Sequence, residues 1–175
     1  LADWEKKVQT RNAAFSEAYR EWSKSRGIDS EAGYPGIRFV LLHSFSHILM
    51  RQLSLECGYA AASIRERIYS SYGTEKEPQM AGILLYTAAP DSEGTLGGLV
   101  KLAIPSELEK HINQALEMSK VCSSDPLCAE HIPGHEGLSL HGAACHSCLF
   151  APETSCEKGN KFLDRSLLVE TFEIK

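Results

Sequence analysis

A chain of 175 residues, 43% apolar and with a formal charge of −5, fits one folded domain with its own core, so disorder is not its default. No apolar run approaches the roughly 18 residues of a membrane helix. The acidic balance excludes a global, non-specific grip on nucleic acid, which needs a basic surface. The chain opens on a helical pattern at Leu1 rather than on a methionine or a signal peptide, which suggests a piece excised from a longer protein.

Asp3 is placed to cap a helix over about residues 4–24, whose Trp4, Val8, Phe15, Ala18 and Trp22 share one face. Arg26-Gly27 ends it, and a linker follows to about residue 33. Tyr34-Pro35-Gly36 is a turn ahead of a second helix, Ile37 to Cys57, which is apolar on nearly every side and therefore central and buried. Its narrow polar stripe is His43, His47 and Arg51, spaced by four and so stacked on one face. Gly58 is its natural stop. The stretch 59–72 begins with an alanine run and then alternates, which predicts a short helix turning into a strand near Arg67–Tyr72. Ala81 to Ala88 is the clearest strand, apolar on both faces and expected to be covered on both. An acidic, glycine-rich loop through Asp91, Glu93, Gly97 and Gly98 leaves that strand. Such a loop can present backbone N–H groups to an anion, but its acids oppose a phosphate and no Gly-Lys-Ser/Thr follows. Pro105 opens a helix to about Lys120, with Leu108, Ile112, Ala115 and Leu116 inward. Asn160 is placed to cap a last helix that turns Phe162, Leu163, Leu167 and Leu168 inward.

Five of the six cysteines fall between Cys122 and Cys156. A chain of this size does not need disulfide staples, and Cys-x-x-Cys spacing favours a metal in a reducing, cytoplasmic compartment. In Cys145-His146-Ser147-Cys148 two intervening residues let one turn aim both sulfurs at one ion. A redox role would need this motif to start a helix after a strand, and here it follows a loop. Zinc needs two further ligands. Cys156 with either Cys122 or Cys128 completes a four-cysteine set, and His131, His135, His141 and His146 are substitutes. The expected set is Cys128, Cys145, Cys148 and Cys156, with Cys122 as the alternative fourth ligand. Four protein ligands leave no position for water, so this zinc would hold structure rather than catalyse.

The His43/His47 pair lacks the glutamate that follows the first histidine in zinc proteases, since Ser44 stands there. Buried histidines bonded to the Asp91–Thr95 loop are the expected arrangement. The competing readings are a hydrolase or nuclease built from His43, His47 and the 91–98 loop, and a pure protein–protein interaction module. Together with Arg51, Asp91, Glu93, Gly97 and Gly98, the two histidines make up the candidate functional surface.

The order of these features resembles the MrfA-type zinc-binding domain found at the C-terminus of certain DNA helicases. The family's Gly-Cys-Pro-Ser-Cys knuckle, Cys-Gly-Asn and Leu-Asp-Lys are similar to Ala144–Cys148, to Cys156 with Gly159-Asn160, and to Leu163-Asp164-Arg165, though the knuckle proline is missing. A narrower resemblance is to the B-subunit family of the DISARM anti-phage defence system. It rests on Leu41–His47, Glu56–Tyr59, Arg65–Tyr69, Asp91–Leu99, Cys122–Cys128 and Pro152–Cys156. The resemblance implies a bacterial, zinc-stabilised, non-catalytic domain at residues 34–175, preceded by an amphipathic helix and linker at 1–30. It also implies a helicase-like motor subunit as partner, with DNA as a further one. No Walker A sequence is present, so ATP hydrolysis would belong elsewhere. The expected fold is α+β: mainly helical, with a small sheet and a four-cysteine zinc-binding segment near the C-terminus.

Overall fold

Helix α3, Ile37–Cys57, is the element on which the others pack. The computed structural model describes residues 1–28, 33–75, 77–87, 98–134 and 138–171. Before α3 come α1, Ala2–Lys7, and α2, Gln9–Ser25. Strands β1, Ile64–Ser71, and β2, Met80–Thr87, follow it, and then α4, Gly98–Leu102, α5, Pro105–Ser119, and the short α6, Leu127–Glu130. The cysteine-bearing C-terminal segment is mostly turns, with one 3-10 turn at Arg165–Leu167. The fold is thus α+β, mainly helical, with a two-stranded antiparallel sheet and four clustered cysteines near the C-terminus.

The apolar wrap of α3 does what its composition predicts. Val40, Ile48, Leu49, Met50 and Leu53 are buried against different neighbours. One end packs with Phe15, Ala18 and Tyr19 of α2 and with Phe162. The middle meets Ala115 of α5, Leu149 and Leu163. The far end packs on Ile64 of β1 and on Leu99, Leu108 and Ile112. Removing each such Leu, Ile or Phe side chain from water is worth about 1.5–3 kcal/mol. Gly58 stops the helix in the left-handed conformation, φ 68°, which glycine adopts without a Cβ penalty.

Four expectations need correction. The N-terminal helix is two helices, broken at Val8 (φ −101°, ψ 21°), and Asp3 lies inside α1 and pairs with Lys6 instead of capping it. The alternating pattern that suggested a strand near residue 67 begins three residues earlier, at Ile64, so Ile64, Glu66 and Ile68 face inward. Strand β2 is not covered on both faces: Met80, Leu84 and Tyr86 are 40–48% exposed. It pairs only with β1 among the described residues, in the register Ile68↔Ile83, so one side of the ribbon meets solvent. Asn160 caps no helix. It sits at φ 58°, a conformation that asparagine tolerates, and its side chain brackets Ala151, donating to the Ala151 carbonyl (2.8 Å) and accepting from the Ala151 N–H (3.0 Å). Phe162, Leu163 and Leu167 are nevertheless buried as expected. The expected boundary near residues 30–34 falls mostly outside the described residues.

Candidate metal centre

Two groups of metal-ligating side chains form among the described residues: Cys122, Cys128, Cys145 and Cys148, and separately His43, His47, Glu66 and Cys156.

The first group joins two turns. In one, the Cys145 N–H points at the Cys148 sulfur (3.3 Å), while the Cys148 and Leu149 N–H groups close on the Cys145 carbonyl. This is the knuckle that Cys-x-x-Cys spacing predicts. In the other, Ser124 N–H points at the Cys122 sulfur (3.4 Å), and the Cys128 N–H bonds the Ser124 carbonyl as α6 begins. The sulfurs approach to 3.4 Å (Cys122–Cys145), 3.6 Å (Cys128–Cys148) and 3.7 Å (Cys145–Cys148). Disulfide sulfurs stand about 2.05 Å apart, so these cysteines are free. A tetrahedral zinc with Zn–S near 2.3 Å places its sulfurs about 3.8 Å apart, and the observed spacing fits it to within a few tenths of an ångström. The contact between the Cys128 and Cys148 sulfurs lowers the Cys148 thiol to about 5 and, with burial, raises that of Cys128.

Behind these turns lies a buried brace. Arg165, fully buried, donates to the carbonyls of Ser119 (3.0 Å) and Lys120 (3.1 Å) and pairs with Asp125. The other Asp125 oxygen accepts the Cys122 N–H at 2.7 Å. The Arg165 guanidinium also lies close enough to favour the Cys128 thiolate, bringing positive charge to the four-sulfur centre. Its neighbour Asp164, also fully buried, pairs with Arg11 and accepts the Ala143 N–H. Arg51, on the exposed side of α3, donates to the carbonyls of Ser147 (2.7 Å) and Cys148 (3.3 Å). It belongs to the support of the knuckle rather than to a free surface.

Cys156, expected beside Cys145 and Cys148, lies elsewhere, and Cys122 stands together with Cys128 rather than in its place. After the knuckle the chain turns away to β1, where the Glu66 N–H bonds the Ser155 carbonyl (3.3 Å) and the Ser155 hydroxyl bonds the Ala61 carbonyl (3.0 Å). That carries Cys156 to α3. There its sulfur lies 3.1 Å from His43 Nε2 and accepts the Asn160 N–H at 3.2 Å. Glu66 Oε1 lies 2.8 Å from His43 Nε2 and 3.2 Å from His47 Nε2.

The two histidines are therefore interior, 0% and 2% exposed, and not part of a surface. Among the described residues their partners are Glu66, Cys156 and backbone carbonyls; the expected partner was the loop after β2. That loop, with Asp91, Glu93 and Gly97, falls outside the described residues, and Gly98 begins α4. Burial works against charge on His47, but its hydrogen bonds with Cys156 and Glu66 outweigh burial and lift it to about 9. Burial likewise opposes the Glu66 carboxylate and the Cys156 thiolate. The facing imidazoles win, holding Glu66 below the usual carboxylate range and Cys156 at about 6. Of the substitute ligands, His131 bonds the Ser139 hydroxyl (2.9 Å) and stacks on His141, His146 is exposed and meets Phe150 edge-on, and His135 is outside the described residues.

Glu66 and Arg165 escaped the sequence reading of the site. The signal for Glu66 was present: a carboxylate between Ile64 and Ile68 in a strand of period two must face inward, and a buried carboxylate needs cationic or metal company.

A clasp of cysteine turns carried on a buried helix, a short hairpin and α5 is the form of a small metal-stabilised domain. The MrfA Zn-binding domain matches residues 45–149, which include all four clustered cysteines, and the chain belongs to that family. It is also 44% identical over 165 residues to the DISARM protein DrmB of Bacillus paralicheniformis. That alignment takes in 94% of this chain and 28% of DrmB, so the chain spans little more than a quarter of its relative's length.

Proposed function

We propose that this chain is a zinc-stabilised, non-catalytic accessory domain of a bacterial anti-phage defence complex. Its zinc ligands are Cys122, Cys128, Cys145 and Cys148. The observation that carries the reading is the convergence of four sulfurs at 3.4–3.7 Å, a closed set with no position for substrate or water. When bound, zinc supplies a cross-link between the two cysteine turns. The protein's part is to hold them: the Arg165–Asp125 pair positions the Cys122–Cys128 turn, and Arg51 holds the knuckle.

Similarity to a DISARM protein supports a place beside a helicase-like motor subunit in the cytoplasm. With a net charge of −5, DNA is reached through that partner or through a local patch. The enzyme alternative is disfavoured by burial, because groups that do chemistry must touch substrate and His43 and His47 are enclosed.

Cys148→Ser or chelation should remove zinc and unfold the cysteine segment, since structural zinc contributes on the order of 10 kcal/mol to such folds. Thermal melts and elemental analysis check this, and a zinc-free chain with an unchanged melt refutes it. Co-purification with the helicase-like subunit, and DNA anisotropy at about 50 and 200 mM salt, test the accessory role. Failure of both to show binding overturns it. An activity lost in His47→Ala at unchanged stability favours the enzyme.

A further inference from the structure

The second cluster is not used by the reading above, and the family match does not contain it whole: His43 and Cys156 lie outside residues 45–149. Four donors from three parts of the chain meet in the interior. His43 and His47 stand one turn apart on α3, Glu66 is an inward position of β1, and Cys156 comes from the turn that packs on β1. All four residues are buried, between 0% and 7% exposed, and their ligand atoms lie within 4.8 Å of one another.

The outer hydrogen bonds dictate what faces inward. His43 Nδ1 lies 3.2 Å from the Phe162 carbonyl, and His47 Nδ1 lies 2.8 Å from the Leu149 carbonyl. A carbonyl only accepts, so each Nδ1 carries a proton and each Nε2 is turned to the centre. This is the arrangement that orients metal-binding histidines. The Asn160 N–H supports the Cys156 sulfur in the same way. The centre thus receives two imidazole nitrogens, a carboxylate oxygen and a sulfur. Without a metal the two imidazole rings, 4.6 Å apart between centroids, have to hold the carboxylate and the sulfur through protons shared at Nε2. One divalent cation satisfies all four donors, and with a thiolate and a carboxylate it leaves the group neutral. Zinc bonds of about 2.0–2.3 Å place N, O and S ligands roughly 3.3–3.6 Å apart in a tetrahedron. The spacings here, 2.8–3.2 Å, need an outward adjustment of about half an ångström. The second Glu66 oxygen, Oε2, is buried without a hydrogen-bond partner, so the carboxylate can turn to offer either oxygen.

We propose that His43, His47, Glu66 and Cys156 form a second, structural zinc site, enclosed by protein and distinct from the four-cysteine clasp. It joins α3, β1 and the C-terminal segment. It is linked to the clasp through the Leu149 carbonyl, which follows Cys148 directly and accepts from His47. Softer sulfur and nitrogen donors beside one oxygen select zinc over magnesium or calcium.

The test is metal content and ligand type on the intact purified chain. Elemental analysis should give two zinc ions per chain. Zinc-edge X-ray absorption should show nitrogen and oxygen neighbours near 2.0–2.1 Å beside sulfur near 2.3 Å. Cys156→Ser and His47→Gln should each bring zinc from two to one per chain, leaving a sulfur-only spectrum. If those variants fail to fold, the wild-type measurements decide alone. One zinc per chain with a sulfur-only shell overturns the site, and so does a count of two with no nitrogen or oxygen neighbours.

Discussion

Replacing Arg165 by methionine keeps most of the side-chain volume and removes the guanidinium. Three acceptors lose their donor at once: the Asp125 carboxylate and the carbonyls of Ser119 and Lys120. The Asp125 side chain is 9% exposed, so water replaces the lost partner poorly. Breaking a buried pair in this way costs about 3–5 kcal/mol. For a domain of this size each kcal/mol moves the melting temperature by about 2–4 °C, so a fall on the order of 10 °C is expected. Asp125 also holds the Cys122 N–H, so the turn that presents Cys122 and Cys128 should loosen with it. Urea unfolding of the zinc-loaded chain measures the first effect, and the rate of zinc transfer to a colorimetric chelator measures the second. Asp125→Asn added to Arg165→Met should recover part of the loss, because the uncompensated charge is then gone. A single variant within 1 kcal/mol of wild type, with unchanged zinc release, would refute the view that this brace supports the clasp.

Gly142→Ala should destabilise the domain by about 1–3 kcal/mol, because a Cβ there would run into the buried Asp164 carboxylate and its Arg11 partner; denaturant midpoints check it. Asn160→Ala removes both bonds that bracket Ala151 and should cost about 1–3 kcal/mol. Asn160→Gly, which relieves the left-handed backbone, should lose less, and comparing the two melts separates bonding from conformation. Leu84→Thr, on the solvent side of β2 at 48% exposure, should change stability by no more than about 0.5 kcal/mol. A larger loss in thermal unfolding would mean that this face is covered.

Much of the helical frame was legible in the chain. A 21-residue segment apolar on nearly every side, bounded by glycines at 36 and 58, left α3 little choice but a central helix, and proline at the first position marked the start of α5. The position of the metal segment was equally plain, because cysteines spaced for a knuckle sit among turn residues that cannot build a packed element alone. Strand β2 was harder. Its composition suits a strand with either one face covered or two, and only its place at the edge of a two-stranded ribbon decides that Leu84 meets water.

Ligand partition was beyond the reach of the chain by itself. Cys156 is eight residues from Cys148, and spacing puts it in easy range of the knuckle. What takes it away is the docking of Ser155 against β1 and Ala61, a contact between segments some ninety residues apart. The polar stripe of α3 shows the same limit. Periodicity placed His43 and His47 on one face, but whether that face looked outward or toward a carboxylate and a sulfur depended on where β1 and the C-terminal turn came to rest. Local sequence determines which atoms a segment can offer and in which direction along its own axis. The enclosure that turns those atoms into a metal centre is set by long-range packing, where the burial of one charged group has to be matched by another from a distant part of the chain.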